Sequence, residues 1–269
     1  MIPELGIFFD VPMAEYRREE GVNVSALKSM GTSPAHYLAK VQAPPDDPTP
    51  AQITGTICHS AVLENDFTGF VVKPSDYDGR TKEGKVWLAN QTKLPIDRET
   101  ASNIAGMVAS VRRHPMAGKI LYGDGKNEVC CWKVHAATGI LLKGRADRVA
   151  TDSQNKTVVI DLKTTGEGDG KKENFSREIS KWGYDIQAAF YMDLFDASYF
   201  CFVCVEKVAP FAVSCYSLSP ASIAVGRRKY ESYLAEINKC VAANSWPAYG
   251  DDLDTIDLPD YVMRKENNV

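Results

Sequence analysis

The spacing of apolar and polar residues predicts β-strands in the second half of the chain. Three runs rich in β-branched residues are separated by turn-forming residues, and together they predict a meander of neighbouring strands. Two further apolar runs predict strands that follow an intervening helical stretch. The five predicted strands are NEVCCWKVHAA (127–137), GILLKGRADRVATD (139–152), TVVIDLKTT (157–165), SYFCFVCVEK (198–207) and FAVSCYSLS (211–219).

Helical periodicity dominates the first third of the chain. Side chains that can cap a helix precede several of its apolar runs, and prolines mark first turns. The predicted elements there are a helix at 22–30 capped by Ser25, a helix at 32–41 capped by Ser33, a linker with four prolines at 43–52, a helix at 54–66 carrying His59, a polar loop at 76–85 and a helix at 97–114 capped by Asp97.

Three more helices are predicted among and after the strands, at 176–183, 184–196 and 220–243. Strands followed by helices and a returning strand favour an α/β fold with a mixed central sheet and helices on both faces. We therefore expect one domain that spans residues 1–269. Within it, residues 1–115 are expected to be mainly helical and carry His59, and residues 116–269 are expected to form the α/β core.

Composition narrows the class of protein only slightly. The chain is 44% hydrophobic and 25% charged, with a net charge of −4, which is ordinary for a globular protein and argues weakly against binding nucleic acid over its whole surface. The start of the chain lacks the basic region of a signal peptide, and no apolar run reaches the ~20 residues of a membrane helix. We expect a soluble, cytoplasmic protein that has no membrane partner and whose seven cysteines are free thiols.

The chemistry-bearing residues gather at the end of the third predicted strand. Alternate residues of a strand face the same way, so Asp161 and Lys163 point together while Leu162 turns into the core. Asp147 lies on the preceding strand, where an antiparallel partner sits ~5 Å away, so it can face Asp161. Two neighbouring carboxylates repel each other unless a cation neutralises them, and Mg²⁺ suits such a site. With a lysine beside them, the group has the parts of a phosphodiester hydrolase, although an Asp-x-Lys pair alone is more often a surface ion pair.

The order of short motifs supports the catalytic interpretation. GRAD (144–147), IDLKTT (160–165) and QAAFY (187–191), with GTICHSAVLE (55–64) upstream, resemble the PD-(D/E)xK nuclease superfamily. Within it the chain looks like the RecB-type branch and its RecE-type exodeoxyribonuclease VIII enzymes. GIFFDVPMAEY, SPAHYL, GRTKEGK and the closing Trp246-Pro247 extend the resemblance over nearly the whole chain. The resemblance implies a restriction-endonuclease-like core with an N-terminal helical elaboration.

The resemblance also assigns roles to individual residues. It implies that Asp147 and Asp161 bind Mg²⁺, for which Mn²⁺ can substitute, and that Lys163 is the catalytic lysine. The further residues that it implicates are His59 and the backbone carbonyl of Leu162 as metal ligands, Gln187 and Tyr191 as the Gln-x-x-x-Tyr motif that positions the lysine and the DNA backbone, and Glu128 as a ligand of a second metal or its waters.

Other candidates are weaker. Arg80, Lys82 and Lys85, and likewise Lys171 and Lys172 beside a glycine-rich loop, could bind DNA phosphates or simply be solvated. The CxxC of the fourth predicted strand places its cysteines on opposite faces without a second pair, so no iron–sulfur cluster is expected. No Walker A motif occurs in the sequence, so no ATP requirement is expected.

The resemblance implies an ATP-independent exonuclease that degrades one strand of linear duplex DNA from 5′ to 3′ and leaves a 3′ single-stranded tail. Relatives form closed homo-oligomeric rings, for which we expect a tetramer with a trimer as the alternative, and hand the tail to a RecT-type single-strand annealing protein. Two alternatives stay open: an endonuclease or single-strand-specific nuclease with the same site, and a DNA-binding protein whose site is vestigial.

Overall fold

The computed structural model describes residues 4–44, 49–250, 252–260 and 263. Its strands are β1 (Gly6–Phe8), β2 (Phe70–Val72), β3 (Leu94–Ile96), β4 (Gly125–Val134), β5 (Leu141–Thr151), β6 (Thr157–Thr165), β7 (Tyr199–Glu206) and β8 (Val213–Ser217). Its helices are α1 (Met13–Arg18), α2 (Val24–Leu27), α3 (Pro34–Gln42), α4 (Pro50–His59), α5 (Lys82–Ala89), α6 (Arg98–Arg113), α7 (Pro115–Tyr122), α8 (Lys172–Trp182), α9 (Tyr184–Leu194) and α10 (Pro220–Ala243). A 3₁₀ turn (Lys28–Gly31) follows α2, and a π-helical turn (Ser60–Glu64) continues α4.

Six strands form the central sheet in the order β1-β4-β5-β6-β7-β8. Neighbouring strands are antiparallel except for β6 and β7, which run parallel. The change of direction follows from the chain path, because the two helices α8 and α9 lie between these strands and carry the chain back to the starting edge. The predicted meander of β4, β5 and β6 is confirmed, and so is the mixed sheet.

Helices cover both faces of the sheet, as predicted for this fold class. On one face, Leu27, Phe190 and Leu234 of α2, α9 and α10 pack on strand residues such as Phe202. On the other, Ile104 and Met107 of α6 and Leu121 of α7 pack on Leu162 and Val203. Each fully buried side chain of this size contributes about 1.5–3 kcal/mol, so these two clusters hold the sheet between its helices.

The small N-terminal elements differ in several details from the sequence prediction. Asn23, not Ser25, caps the helix at its start, since the Asn23 side chain accepts the Ala26 N–H. The second half of the predicted loop at 76–85 is the first turn of α5, whose cap is Thr81. Gly84 belongs there because a Cβ at that position would lie 1.9 Å from the Asp78 carbonyl oxygen.

The proline-rich linker is shorter than predicted, and residues 45–48 lie outside the described residues. Thr49 and Gln52 form a reciprocal capping box, which starts α4 at Pro50 within the expected linker. In contrast, Ser33 and Asp97 cap α3 and α6 as predicted. The long helix α10 also has its predicted bounds.

The N-terminal segment of the chain is joined to the core by backbone pairing. Strand β1 pairs with β4 at the edge of the central sheet, and Val22 exchanges backbone hydrogen bonds with Leu141 and Lys143 of β5. The prediction of a mainly helical N-terminal segment omitted β1 and the small parallel sheet of β2 and β3. Within the described residues, no helix combines the length and the apolar character needed to cross a membrane.

Candidate active site

A cavity of about 780 Å³ opens where β5 and β6 separate, beneath α9 and beside α4. It is of the size that small-molecule and nucleotide sites usually have. The predicted residues that line it are His59, Asp147, Asp161, Leu162, Lys163, Gln187 and Tyr191. The fold therefore brings together residues that are up to 132 positions apart in the chain (59 to 191).

The strands β5 and β6 part at the two carboxylates. Their paired register ends at Arg148 and Ile160, so Asp147 and Asp161 are the next positions along the same register. Beyond that point the Asp147 carboxylate replaces a backbone acceptor, because its Oδ2 accepts the Leu162 N–H at 2.8 Å. Burial raises the pKa of Asp147 to about 6; His59 opposes this rise and Asp161 adds to it.

Asp161 and Lys163 point to the same side of β6, as the alternation of a strand predicts. Lys163 Nζ lies 2.8 Å from Asp161 Oδ2, and Leu162 between them is buried in the opposite core. Burial disfavours the charged form of Lys163, but Asp161, Tyr184 and Asp147 outweigh it, so the pKa of this lysine is raised. Lys163 is thus a cation at neutral pH, suited to hold negative charge and not to accept a proton.

Helix α9 presents Gln187 and Tyr191 to the strand end. The Gln187 amide Nε2 donates to Asp161 Oδ1 at 2.6 Å, while its Oε1 accepts from Lys163 Nζ at 3.3 Å. Tyr191 donates its hydroxyl to the Arg145 carbonyl at 3.0 Å. The glycine of GRAD makes this approach possible, because a Cβ on Gly144 would lie 3.2 Å from the Tyr191 ring.

His59 reaches the site from the last turn of α4. Its Nδ1 lies 3.4 Å from Asp147 Oδ2, and the π-helical turn begins at the next residue. Such turns widen a helix by one residue and often occur at functional sites. His59 therefore contacts one of the two carboxylates, whereas Lys163 and Gln187 contact the other.

Glu128 forms an ion pair with Arg145. It lies on β4 with a positive φ of 53°, in the register position next to Asp147. Arg145 donates from Nε to Glu128 Oε2 at 2.5 Å and from Nη1 to the Val11 carbonyl at 2.5 Å. The guanidinium thus ties Glu128 to the N-terminal segment, and its role toward a second metal stays a prediction.

The donor set fits a hard divalent cation that has few protein ligands. Among the described residues, no group of three or more His, Cys, Asp and Glu side chains is placed to hold a metal ion. Asp161 Oδ2 is buried, and the Lys163 ammonium is its cationic partner at 2.8 Å. Mg²⁺ usually takes one or two carboxylates and fills its shell with water and phosphate oxygens, which Asp147 and Asp161 can satisfy. His59 and the Leu162 carbonyl stay predicted as further ligands.

The predicted phosphate-binding residues lie outside this cavity. Arg80 is ion-paired with Asp78 at 2.9 Å, Lys82 and Lys85 are exposed on α5, and Lys171 and Lys172 are exposed where α8 begins. Their DNA-binding role stays a prediction. The glycine-rich loop before α8 is anchored to the sheet, because the Gly168 N–H donates to Glu206 at 2.9 Å.

Two lysines near the cavity were missed from the sequence. Lys207 at the end of β7 lines its wall. Lys28 lies 5.7 Å from the Tyr184 ring centroid, and Lys163 lies 4.5 Å from the same centroid. Burial lowers the pKa of Lys28 to about 8, and repulsion by Lys163 adds to this, while Asp161 and Asp185 oppose it. Neither lysine belongs to a sequence motif, so its place was visible only in the fold.

Comparisons with known proteins fit this architecture. A family model described as "PDDEXK-like domain of unknown function (DUF3799)" matches residues 23–259. None of the curated proteins matches the sequence. Among solved structures, a candidate exonuclease from Eubacterium rectale is 15% identical, with a TM-score of 0.61 over 97% of this chain and 100% of that chain. At that identity the likeness shows a shared fold, and with the family match it confirms the predicted core.

An alkaline exonuclease from Laribacter hongkongensis is 14% identical, with a TM-score of 0.31 over 79% of this chain and 98% of that one. A phage-related exonuclease from Haemophilus somnus is 13% identical, with a TM-score of 0.33 over 70% of this chain and 95% of that chain.

Proposed function

The chain belongs to the PDDEXK-like family, and on that basis we propose that it is a Mg²⁺-dependent, ATP-independent exonuclease acting on linear duplex DNA. It degrades one strand from 5′ to 3′ and leaves a 3′ single-stranded tail for recombination by single-strand annealing. Mn²⁺ substitutes for Mg²⁺. The family match supports nuclease chemistry, and the narrower resemblance to RecE-type enzymes supports the direction and the product.

One observation carries the proposal: two carboxylates, a lysine and a glutamine meet at the end of β6 in an open cavity. Lys163 contacts Asp161 at 2.8 Å, and Gln187 contacts both of them. A plain surface ion pair would not need the half-buried Asp147 carboxylate one register step away, whose raised pKa is a cost to the fold. Perturbed ionisable groups inside a cleft are typical of functional sites.

The residues of the chain would divide the work of hydrolysis as follows. Asp147 and Asp161 would hold the cation, which when bound polarises the phosphoryl oxygen and lowers the pKa of water. Lys163, kept charged by its neighbours, offsets the negative charge that develops on the phosphate. Gln187 fixes the orientation of both Asp161 and Lys163 through its amide.

The proposed assembly is a closed homo-oligomeric ring, with a tetramer preferred and a trimer as the alternative, around the duplex end. A ring keeps a nuclease on its DNA without an ATP-driven motor, and a single repeated interface generates it. An apolar row near the edge strand β1 supports subunit contact, because Leu5, Ile7 and Phe9 are each about half exposed. The proposed partner is a RecT-type annealing protein in the cytoplasm of a bacterial or phage-infected cell.

Digestion of end-labelled linear duplex with Mg²⁺, beside a covalently closed circle of the same sequence, tests the proposal. Early release of a 5′ label and survival of the circle are expected. Cutting of the circle would instead favour an endonuclease. A preference for single-stranded DNA would favour a single-strand-specific nuclease. Lys163→Ala should abolish cleavage and retain DNA binding. The control Lys239→Ala, which removes one member of an exposed ion pair on α10, should leave cleavage unchanged. Absence of cleavage with any divalent metal would overturn the proposal.

A further inference from the structure

The rim of the cavity carries one tryptophan that is exposed although its ring is held in place. The chain has four tryptophans, and among them Trp132 is buried, Trp87 and Trp246 are half-buried and Trp182 is 51% exposed. Trp182 lines the same cavity as Asp161 and Lys163. A half-exposed indole beside charged groups offers a flat face on which a base can stack.

The indole is oriented by polar contacts and not by burial. Its Nε1 donates a hydrogen bond to the Glu178 carboxylate one turn earlier in α8. Lys181 Nζ lies 4.8 Å from the ring centroid. These contacts fix the plane of the ring before any ligand arrives, which lowers the entropic cost of stacking on it.

The backbone beside the ring is fixed as well. Lys28 Nζ donates to the Trp182 carbonyl at 2.9 Å. Gly183 follows with a φ of 62°, which ends α8 and starts α9, and a Cβ there would lie 2.9 Å from Lys28 Cδ. The corner that carries Trp182 is therefore locked to the N-terminal helices and to α9, which carries Gln187.

The surroundings of the ring match a nucleotide. Lys28 and Lys163 both lie close to the ring of Tyr184, which lines the same cavity as Trp182. Lys207 lines the same cavity. Aromatic rings interleaved with cations are the usual means of holding an unpaired strand, since the rings stack on bases and the cations contact phosphates.

We propose that Trp182 stacks on an unpaired base of the strand being degraded, next to the scissile phosphate. This proposal rests on the proposed function and deepens it: the substrate at the site is a locally single-stranded segment, even when the bulk DNA is duplex. A base inside a duplex cannot offer its face to the indole, so the end of the duplex must open by at least one pair before cleavage.

A cycle that combines protein variants with abasic DNA tests this stacking. Linear duplexes carry one abasic residue, moved stepwise along the strand being degraded, and kcat and KM are measured for wild type, Trp182→Phe and Trp182→Leu. In the wild type, an abasic residue at one position should reduce kcat/KM about ten-fold. Trp182→Leu should show the same loss on natural DNA and no further loss at that abasic position, whereas Trp182→Phe should keep most of the rate.

The controls separate stacking from a structural role. Tyr249→Ala removes a more exposed aromatic residue that does not line the cavity and should leave every rate unchanged. Thermal melting and light scattering check fold and oligomeric state. If Trp182→Leu lowers the rate by changing the oligomer, or if the abasic losses are the same in wild type and Trp182→Leu, the stacking role is overturned.

A binding measurement distinguishes failure of this inference from failure of the proposed function. Oligonucleotide binding with Ca²⁺ in place of Mg²⁺ should quench the fluorescence of wild type and not that of Trp182→Phe. Normal cleavage without this difference would overturn the stacking alone. Absence of cleavage would overturn the exonuclease proposal, and the quenching difference would then decide the stacking by itself.

Discussion

The backbone N–H of Leu162 donates to the side chain of Asp147, with 2.8 Å between Leu162 N and Asp147 Oδ2. This bond replaces a backbone–backbone hydrogen bond between the strands, because the pairing of β5 with β6 ends at Arg148 and Ile160. The neighbouring strand therefore holds this carboxylate through a backbone N–H. The proposed cation would then need only to replace protons and water at this carboxylate.

The bond predicts different effects for two substitutions of Asp147. Asp147→Asn retains an oxygen that accepts the Leu162 N–H, whereas Asp147→Ala leaves that N–H without its acceptor at a cost of about 1–3 kcal/mol. We expect the Ala variant to melt several degrees below the Asn variant in EDTA, and both to lose DNA cleavage. Equal melting temperatures would show that the bond is not needed, and an active Asn variant would remove Asp147 from the metal site.

The raised pKa of Asp147 predicts a pH dependence of stability. Burial raises this pKa to about 6, from a usual value near 4, so the folded state binds the proton more tightly than the unfolded state. Without metal, the free energy of unfolding should therefore fall as the pH rises from about 4 to about 6, and should stay lower above that.

Divalent cations should offset this loss. The rise in melting temperature caused by Mg²⁺ should be larger at pH 8 than at pH 5, because proton and cation compete for the same carboxylate. The difference between wild type and Asp147→Asn isolates this group from other titrating residues. A Mg²⁺ effect of equal size at both pH values would contradict the prediction.

Gln187 should contribute by orientation. Gln187→Leu removes the amide that contacts Asp161 and Lys163, and we expect kcat to fall about 10–100-fold, as for other residues that orient metal ligands. Steady-state rates and a Mg²⁺ titration measure this effect. Gln154→Leu, in an exposed turn, is the matched control and should behave as wild type. An unchanged kcat in the Gln187 variant would assign that residue to folding alone.

Gly144 should be intolerant of a side chain. A Cβ there would lie 2.5 Å from Leu194 Cδ2, so in Gly144→Ala the packed Leu194 side chain, or α9 with it, must shift. Overpacking of this kind usually costs about 1–3 kcal/mol, which thermal or urea unfolding can measure. Gly69→Ala, where no atom lies within 4 Å of the new Cβ, should change stability by much less. Similar losses at both sites would show that α9 adapts to the extra atom.

The sequence was sufficient for those features of the site that depend on local periodicity. Asp161 and Lys163 share a side because they are two residues apart on a strand, and Gln187 and Tyr191 share a face because they are four apart on a helix. The position of Asp147 opposite Asp161 follows from two adjacent strands joined by a short turn.

The contacts that were missed are those between distant segments. Arg145 and Glu128 pair across two strands, and Lys28 reaches the cavity from the N-terminal helices, so no spacing within either segment indicates the contact. Strand β1 has only three residues and pairs with a strand more than 110 positions later. In contrast, α7 had a readable signal, because His114 is its cap and Pro115 its first residue.

The parallel pairing of β6 with β7 has a consequence for biosynthesis. A nascent polypeptide that ends at residue 165 already contains Asp147, Asp161 and Lys163, but β6 then has an open edge where β7 will lie. Helix α9, which supplies Gln187, also lies between these two strands in the chain. Because chains emerge from the ribosome N-terminus first, β6 keeps this open edge until β7 has been made.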